Sequence, residues 1–525
     1  MPQLDETMKI DGHTDCKVLV IGLDGAAWSV INNLIQRGEL QTFQKLIEHG
    51  VYGCVESTIP PWTIPAWNAL TTGLNPGKLG FSTFTVKTNK DFKPYYFVIK
   101  DPKRNLWDIL SVMGKKVIIA NLPNIYSAYR INGVMISGFL NTDEFKVAYP
   151  PSLLEELDRI AGGYVVDVTK LIDPTLSSDG EYYRKEISIL RKHHEVFKHL
   201  LKEYPWDFAF LVYAEPDRVQ HRFWGDERVL SVYRMLDVML SELLTIVDKN
   251  TCIFIISDHG FGVGDEKILF INEWLAKSKY LYLKKNLKRD TFVRLINIIK
   301  KLGLQGLVEF TISTLPSRLK AYLRKEANFV KSSGIVEQTD WEKTKALGYG
   351  VFGDIWLNVD DSVEYEITRN KLINELKKEF GEGLKIYKKE EIYNGPHTEK
   401  LPDLIILVDD EHINAISPHI AVESIKPTRG NHRLYGIFIA SGIGIKNNYR
   451  IENIKIYDLF STLLHLFNLP IPGDVDGRVL MEIFEPGSKF AKRKPEYVDL
   501  VYYKKKQEGE KLRQVITGVK LHKEE

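Results

Sequence analysis

Seven short runs of β-branched and aliphatic residues recur along the chain, at 17–23, 116–120, 134–137, 208–213, 252–257, 404–408 and 437–440. Each is continuously apolar rather than alternating, the pattern of a strand buried on both faces, as in a parallel sheet. Between them lie stretches of helical period such as 30–47 and 229–247. Strands alternating with helices predict an α/β fold, a mostly parallel central sheet flanked by helices on both faces. No internal repeat or low-complexity segment competes with that reading.

A chain of 525 residues is long enough for about three domain-sized units, or one large core with insertions. Its 71 basic and 69 acidic side chains leave a net charge of +2, so no specific nucleic-acid binding is expected. An apolar fraction of 44% and a charged fraction of 27% exclude a collagen, an extended disordered chain and a disulfide-rich mini-protein. Cys16, Cys54 and Cys252 form no C-x-x-C pair and no Cys/His zinc spacing, which fits a reducing compartment. The polar, acidic start lacks the basic-then-apolar order of an export signal. The apolar runs stop far short of the roughly 20 residues that span a bilayer. A cytoplasmic protein is the expectation.

Charge is uneven in one place. Residues 277–331 carry fourteen Lys and Arg against three Asp and Glu, which sets off 276–335 as an inserted basic helical cap. Its middle, from Phe292 to Leu302, has the spacing of an amphipathic helix with a basic face. Two uses stay open for it: a solvated face on a cap packed over the core, or peripheral contact with an anionic membrane surface. The remaining boundaries put the catalytic core at 15–275 and 336–485, and a charged C-terminal tail at 486–525.

In open α/β sheets the functional residues gather beyond the carboxyl ends of the strands. Three runs lead into aspartates there: 17–23 into Asp24-Gly25, 208–213 into Ala214-Glu215-Pro216-Asp217, and 252–257 into Asp258-His259-Gly260. One such aspartate is ordinarily a cap or turn former. Three, two of them with histidines nearby, ask for more. Asp217 and His221, four apart, share one helix face. Asp258-His259 offers an oxygen and a nitrogen to one point, and His432 lies just before the run at 437–440. Asp24, Asp217, Asp258, His221, His259 and His432 make a donor set without thiolates, suited to Zn²⁺ or Mn²⁺. Six ligands exceed what one catalytic ion with an open position takes; two ions sharing them suit in-line displacement at phosphorus.

A nucleophile is available in Thr63-Ile64-Pro65. Pro65 favours a helix first turn running toward Gly73, which leaves Thr63 either an N-cap or a hydroxyl held where free N–H groups attract an anion.

As an ordered set these motifs resemble the alkaline phosphatase superfamily, in particular its type I phosphodiesterase/nucleotide pyrophosphatase branch. The resemblance runs through Leu23-Asp24-Gly25, Thr63-Ile64-Pro65, Thr72-Gly73-Leu74-Asn75-Pro76-Gly77, Glu215-Pro216-Asp217 with His221, Ser257-Asp258-His259-Gly260, Gly430-Asn431-His432 and Asp476-Gly477. It covers most of the chain outside the basic insertion and the tail. It implies an alkaline-phosphatase-like core and two Zn²⁺, with Mn²⁺ used by related mutases. One ion would be held by Asp24, Thr63, Asp258 and His259, the other by Asp217, His221 and His432. Thr63 would be the nucleophile that becomes a phosphothreonine. The sequence departs where the nucleotide pyrophosphatases carry an asparagine: Gly80-Phe81-Ser82-Thr83-Phe84 has none, so a nucleotide preference does not follow. Arg433, beside His432, is offered either as a phosphate clamp or as a structural salt bridge.

The expected activity is hydrolysis of phosphate esters or anhydrides, with a phosphorylated small-molecule or lipid-linked substrate. Phosphomonoesterase and metal-dependent phosphomutase chemistry remain alternatives. So does, from another class, a non-catalytic module that binds anionic surfaces. A sulfatase is disfavoured, because its C/S-x-P-x-R pattern is replaced by Thr63-Ile64-Pro65-Ala66-Trp67.

Overall fold

The computed structural model describes residues 16–83, 85–88, 91–94, 104–139, 146–173, 177–264, 268–284, 335–350, 352, 354–408, 415–417, 429–499, 501–506 and 508–509. Most of the basic insertion expected at 276–335 lies outside these residues. The chain divides into two compact units, one drawn from 1–75, 97–262 and 432–525, the other from 76–96 and 263–431.

The first unit is built on nine strands: β1 (Lys17–Leu23), β2 (Gly50–Glu56), β3 (Val117–Leu122), β4 (Gly133–Ser137), β5 (Ala148–Tyr149), β6 (Phe208–Tyr213), β7 (Thr251–Ile256), β8 (Tyr435–Ser441) and β9 (Tyr449–Lys455). They lie in the order β9-β2-β8-β7-β1-β6-β3-β4-β5. The run from β7 to β4 is parallel throughout, and β9 is parallel to β2. β8 runs antiparallel to both β2 and β7, so the apolar run at 437–440 is a central strand but not a parallel one. Its residues are as buried as those of its parallel neighbours, and burial on both faces is all that a continuous apolar run reports.

Helices α1 (Trp28–Gln36), α2 (Gln41–Glu48), α3 (Thr63–Thr72), α4 (Asp179–Glu203), α5 (Glu215–Phe223), α6 (Glu227–Ile246) and α7 (Asp458–Leu466) belong to the same unit. The helical stretch expected at 30–47 is two helices. Gly38, at φ +72°, turns the chain between them, a conformation glycine adopts without penalty. Leu34, Phe43, Leu200, Phe223, Leu236 and Leu240 pack with the strand side chains into one buried cluster. The C-terminal segment is packed as far as Tyr503: Phe490 is buried, Tyr497–Val498 pairs with Ile471–Pro472, and the Tyr503 hydroxyl donates to the Pro470 carbonyl at 2.5 Å.

The second unit has its own core around Leu347, Trp356, Leu372 and Ile406. Its four-stranded sheet (Ala346–Tyr349, Asp354–Leu357, Leu404–Val408, Leu384–Lys388) is antiparallel at every pairing. The run at 404–408 belongs here, not to the large sheet.

Candidate metal centre

Register decides where the site forms. Leu23 pairs with Tyr213, and Gly22 with Ile256, so β1, β6 and β7 end level with one another. The residues that follow them, Asp24, Glu215–Asp217 and Ser257–His259, therefore emerge along one edge, as expected beyond the carboxyl ends of parallel strands. Asp24 passes directly into Gly25, whose φ is +65°. A Cβ there would lie 3.0 Å from Phe261 and 3.3 Å from Asp217 Oδ1, so the turn needs glycine for both its conformation and its clearance.

Thr63 is the first residue of α3, and Trp62 holds the N-cap position without a side-chain cap. The threonine hydroxyl is thus not spent on capping. Its Oγ1 lies 3.2 Å from His259 Nε2, and because His259 Nδ1 donates to the Gly260 carbonyl at 3.0 Å, Nε2 is the accepting nitrogen. One turn along α3, Trp67 Nε1 donates to Asp24 Oδ2 at 3.3 Å. Asp258 Oδ1 accepts from the Gly25 N–H at 3.1 Å. His259 Nε2 lies 3.2 Å from Asp258 Oδ2 and 3.7 Å from Asp24 Oδ1.

The second half of the site hangs on α5. Asp217 and His221 share a face, with Asp217 Oδ1 3.4 Å from His221 Nε2 and 3.1 Å from His432 Nε2. The two imidazoles meet Nε2 to Nε2 at 2.9 Å. His432 Nδ1 donates to the Pro61 carbonyl at 2.9 Å, which fixes its tautomer and aims Nε2 at Asp217. The His259 and His432 rings stack 3.7 Å apart, joining the halves. Five of the residues expected from sequence form the groups Asp24/Asp258/His259 and Asp217/His259/His432; Thr63 joins them through His259, and His221 through Asp217 and His432. His221, 32% exposed in its side chain, stands at the open side.

Three carboxylate oxygens at this centre, Asp24 Oδ1, Asp217 Oδ1 and Asp258 Oδ2, are buried without a hydrogen bond. Buried charges persist only when paired or bound to a cation. Burial, then the charges of Asp258 and Asp217, drives the Asp24 carboxyl well above its usual range, and burial does the same to Asp258. Burial raises Asp217 too, but His221 and His432 outweigh it and hold this carboxyl well below. Burial lowers His259 well below the usual imidazole range, which favours the neutral ring whose lone pair a cation takes, and it lowers His432 against the opposing pull of Asp217. The residues fit divalent cations.

Sequence reasoning missed the supporting shell. Trp67 could have been found from its i+4 spacing to Thr63; Gln220 and Tyr233, described below, carry no local signal. Arg433 donates from Nη1 to the His432 carbonyl at 2.8 Å. A further group, His194, Glu195 and Glu242, gathers on α4 and α6. There Lys198 Nζ already lies 2.9 Å from Glu195 and 2.8 Å from Glu242, and supplies the positive charge.

The profile of the family described as type I phosphodiesterase / nucleotide pyrophosphatase matches residues 18–432. The chain belongs to that family. The match begins in β1 and ends on His432, so it encloses every residue of the centre. As a member of the type I phosphodiesterase/nucleotide pyrophosphatase family, within the alkaline phosphatase superfamily, the chain is a phosphoric-ester hydrolase. Solved structures that are similar include murine ectonucleotide pyrophosphatase/phosphodiesterase 5, at 15% identity and TM-score 0.49, covering 89% of this chain and 100% of that one. An inactive form of the murine protein in complex with AMP matches at 16% identity and TM-score 0.48, over 86% and 95%. The human protein matches at 15% identity and TM-score 0.49, over 86% and 95%. A comparison with curated proteins finds no match.

Proposed function

We propose that this chain cleaves phosphodiesters or pyrophosphates at a centre of two divalent cations, Zn²⁺ by the donor set with Mn²⁺ as the second choice, using Thr63 as the nucleophile. The observation that carries this is the convergence of three buried, unbonded carboxylate oxygens on the side where the Thr63 hydroxyl meets His259. Asp24, Thr63, Asp258 and His259 would hold one ion, and Asp217, His221 and His432 the other. When bound, such ions activate oxygen nucleophiles at neutral pH and neutralise charge on phosphoryl oxygens.

The chain's own groups do the rest. At the start of α3, Thr63 and Ile64 carry the N–H groups that would receive an incoming anion. As Thr63 Oγ1 gives up its proton and bonds to phosphorus, the bond to the leaving oxygen breaks in line and that oxygen takes up a proton, giving a phosphothreonine. Water then breaks the Thr63 Oγ1–P bond and releases phosphate or a phosphomonoester. Two inversions give net retention at phosphorus.

The substrate class is a phosphorylated small molecule, including lipid-linked ones, and the compartment the cytoplasm. In support of that compartment, none of the three cysteines forms a disulfide. No described helix is long and apolar enough to cross a membrane. Contact of the basic insertion with an anionic membrane surface belongs to the same proposal.

The test is a panel of monoesters, diesters and nucleotide pyrophosphates, assayed with Zn²⁺- and Mn²⁺-loaded protein beside Thr63→Ala. Turnover lost in the variant, with metal content kept and phosphothreonine trapped only in wild type, supports the reading. A wild type that binds neither ion and turns over nothing refutes it.

A further inference from the structure

The two halves of the centre are tied together by a buried chain of hydrogen bonds outside the ligand set. Gln220 sits on α5 between Asp217 and His221, and its side chain is buried. Its Nε2 donates to the Gly25 carbonyl at 2.9 Å. Its Oε1 accepts from the Tyr233 hydroxyl of α6 at 2.9 Å, and the same hydroxyl accepts from the Ala27 N–H at 2.9 Å. Gly25 in turn donates to Asp258 Oδ1 at 3.1 Å. The turn that carries Asp24 is thereby gripped by Gln220 at the Gly25 carbonyl, by Asp258 at the Gly25 N–H and by Tyr233 at Ala27.

We infer that Gln220, oriented by Tyr233, is a positioning residue that fixes the distance between the Asp24/Asp258 half and the Asp217/His221/His432 half, so that the two ions bind as a coupled pair. The inference rests on the two-cation reading above. Its physical basis is economy of donors. The Gln220 amide has both of its polar ends fixed by partners more than ten residues away, and the Tyr233 hydroxyl donates once and accepts once, so the linkage has little freedom to re-form elsewhere. An aliphatic side chain of similar length would keep the packing and release the Gly25 carbonyl. The buried carbonyl would then be left without this donor, and the turn bearing Asp24 would lose one of its three holds. Groups outside the ligand set that orient ligands change metal affinity or activity by about 10–100-fold when removed.

The test uses the full chain stripped by a chelator and titrated calorimetrically with Zn²⁺ alone, in wild type, Gln220→Leu, Tyr233→Phe and the double variant, with kcat and KM measured on the best substrate of the panel. Expected are two ions per chain in wild type, and in folded Gln220→Leu a loss of about tenfold or more in affinity for at least one ion. kcat should fall while KM stays within about twofold, as for a group that acts on the reacting geometry and not on substrate binding. The double variant should lose less than the product of the two single losses, since both single variants remove the Gln220–Tyr233 bond. Wild-type affinity and kcat in folded Gln220→Leu, or losses that multiply in the double variant, overturn the inference. Should Gln220→Leu not fold, Tyr233→Phe decides: weakened Zn²⁺ uptake supports the linkage and wild-type uptake overturns it. Absence of Zn²⁺ uptake in wild type would instead refute the two-cation reading, and the linkage with it.

Discussion

Gly22, two residues before Asp24 on β1, is where a single methyl group should disturb both the core and the centre. A Cβ at this position would lie 2.6 Å from Trp67 Cη2, 3.3 Å from Trp67 Cζ3 and 2.8 Å from Val212 Cγ2. Trp67 and Val212 are both fully buried, so neither can swing into solvent, and overpacking of this kind costs about 1–3 kcal/mol. For a unit this large, at roughly 2 °C per kcal/mol, Gly22→Ala should lower the melting temperature by about 2–6 °C. The displaced Trp67 also carries the N–H that bonds Asp24, so activity should fall by more than the lost stability explains. The control is Trp67→Phe, whose shorter ring lacks the two colliding indole atoms. Alone it should destabilise, through lost volume and a lost hydrogen bond. Combined with Gly22→Ala it should cost about 1 kcal/mol less than the two separate losses together, because residues in contact couple. Relief should be partial, since Val212 remains. Thermal unfolding followed by circular dichroism on the four proteins reads this directly. Strict additivity, or a Gly22→Ala protein as stable and active as wild type, would refute the packing argument.

Thr63→Ala should abolish turnover while metal content and melting temperature stay near wild type, and Thr63→Ser should recover part of the activity; mass spectrometry of the quenched reaction checks the phosphothreonine. Stripping the metals should lower the melting temperature and reloading restore it, because a ligand at about 100 times its Kd stabilises by about 2.7 kcal/mol. Glu186, buried on α4, is pushed up to about 8 by burial, against the opposing pull of Arg218 and a hydrogen bond from Tyr182. The folded state therefore keeps a proton that the unfolded chain, with an ordinary carboxyl, gives up. Stability from this group is full below the ordinary carboxyl range, is lost as pH rises toward about 8, and changes no further above that. Glu186→Gln should accordingly raise the melting temperature at pH 8 and not at pH 4, and an equal effect at both would contradict the burial argument.

How much of this was legible in the sequence follows from which interactions are local. Asp24, Asp217 and Asp258 were readable because each lies within four residues of the carboxyl end of a β-strand, and the sheet register does the rest of the work of bringing them level. The bounds of β1 and β6 match the apolar runs residue for residue, since both strands are buried on both faces and end in polar turns. Thr63 was readable as far as its place at the start of α3, because Pro65 constrains the first turn; that its hydroxyl meets His259, 196 residues away, leaves no local signal. Strand direction was not readable for β8, because a continuous apolar run is equally at home in either orientation when both neighbours cover it.

The supporting contacts are the least legible and the most informative about chemistry. His432 is aimed by the carbonyl of Pro61, 371 residues before it, and Gln220 reaches a carbonyl 195 residues before it; neither leaves a periodicity or a motif. A ligand set can be recognised from residue types because a cation demands particular donor atoms. The groups that hold those donors still can be any that bring an N–H or a carbonyl to the right place. Substitutions at Asp24 or His259 would therefore test what the centre binds, whereas substitutions at Gln220, Tyr233 and Trp67 test how this chain builds it. The second set separates a two-cation centre from a pair of independent single-ion sites. A pair of independent sites would let Gln220→Leu change one affinity and leave the catalytic rate per loaded site untouched, while a centre that must act on one phosphorus atom from both sides would lose rate whenever the spacing between its halves relaxes.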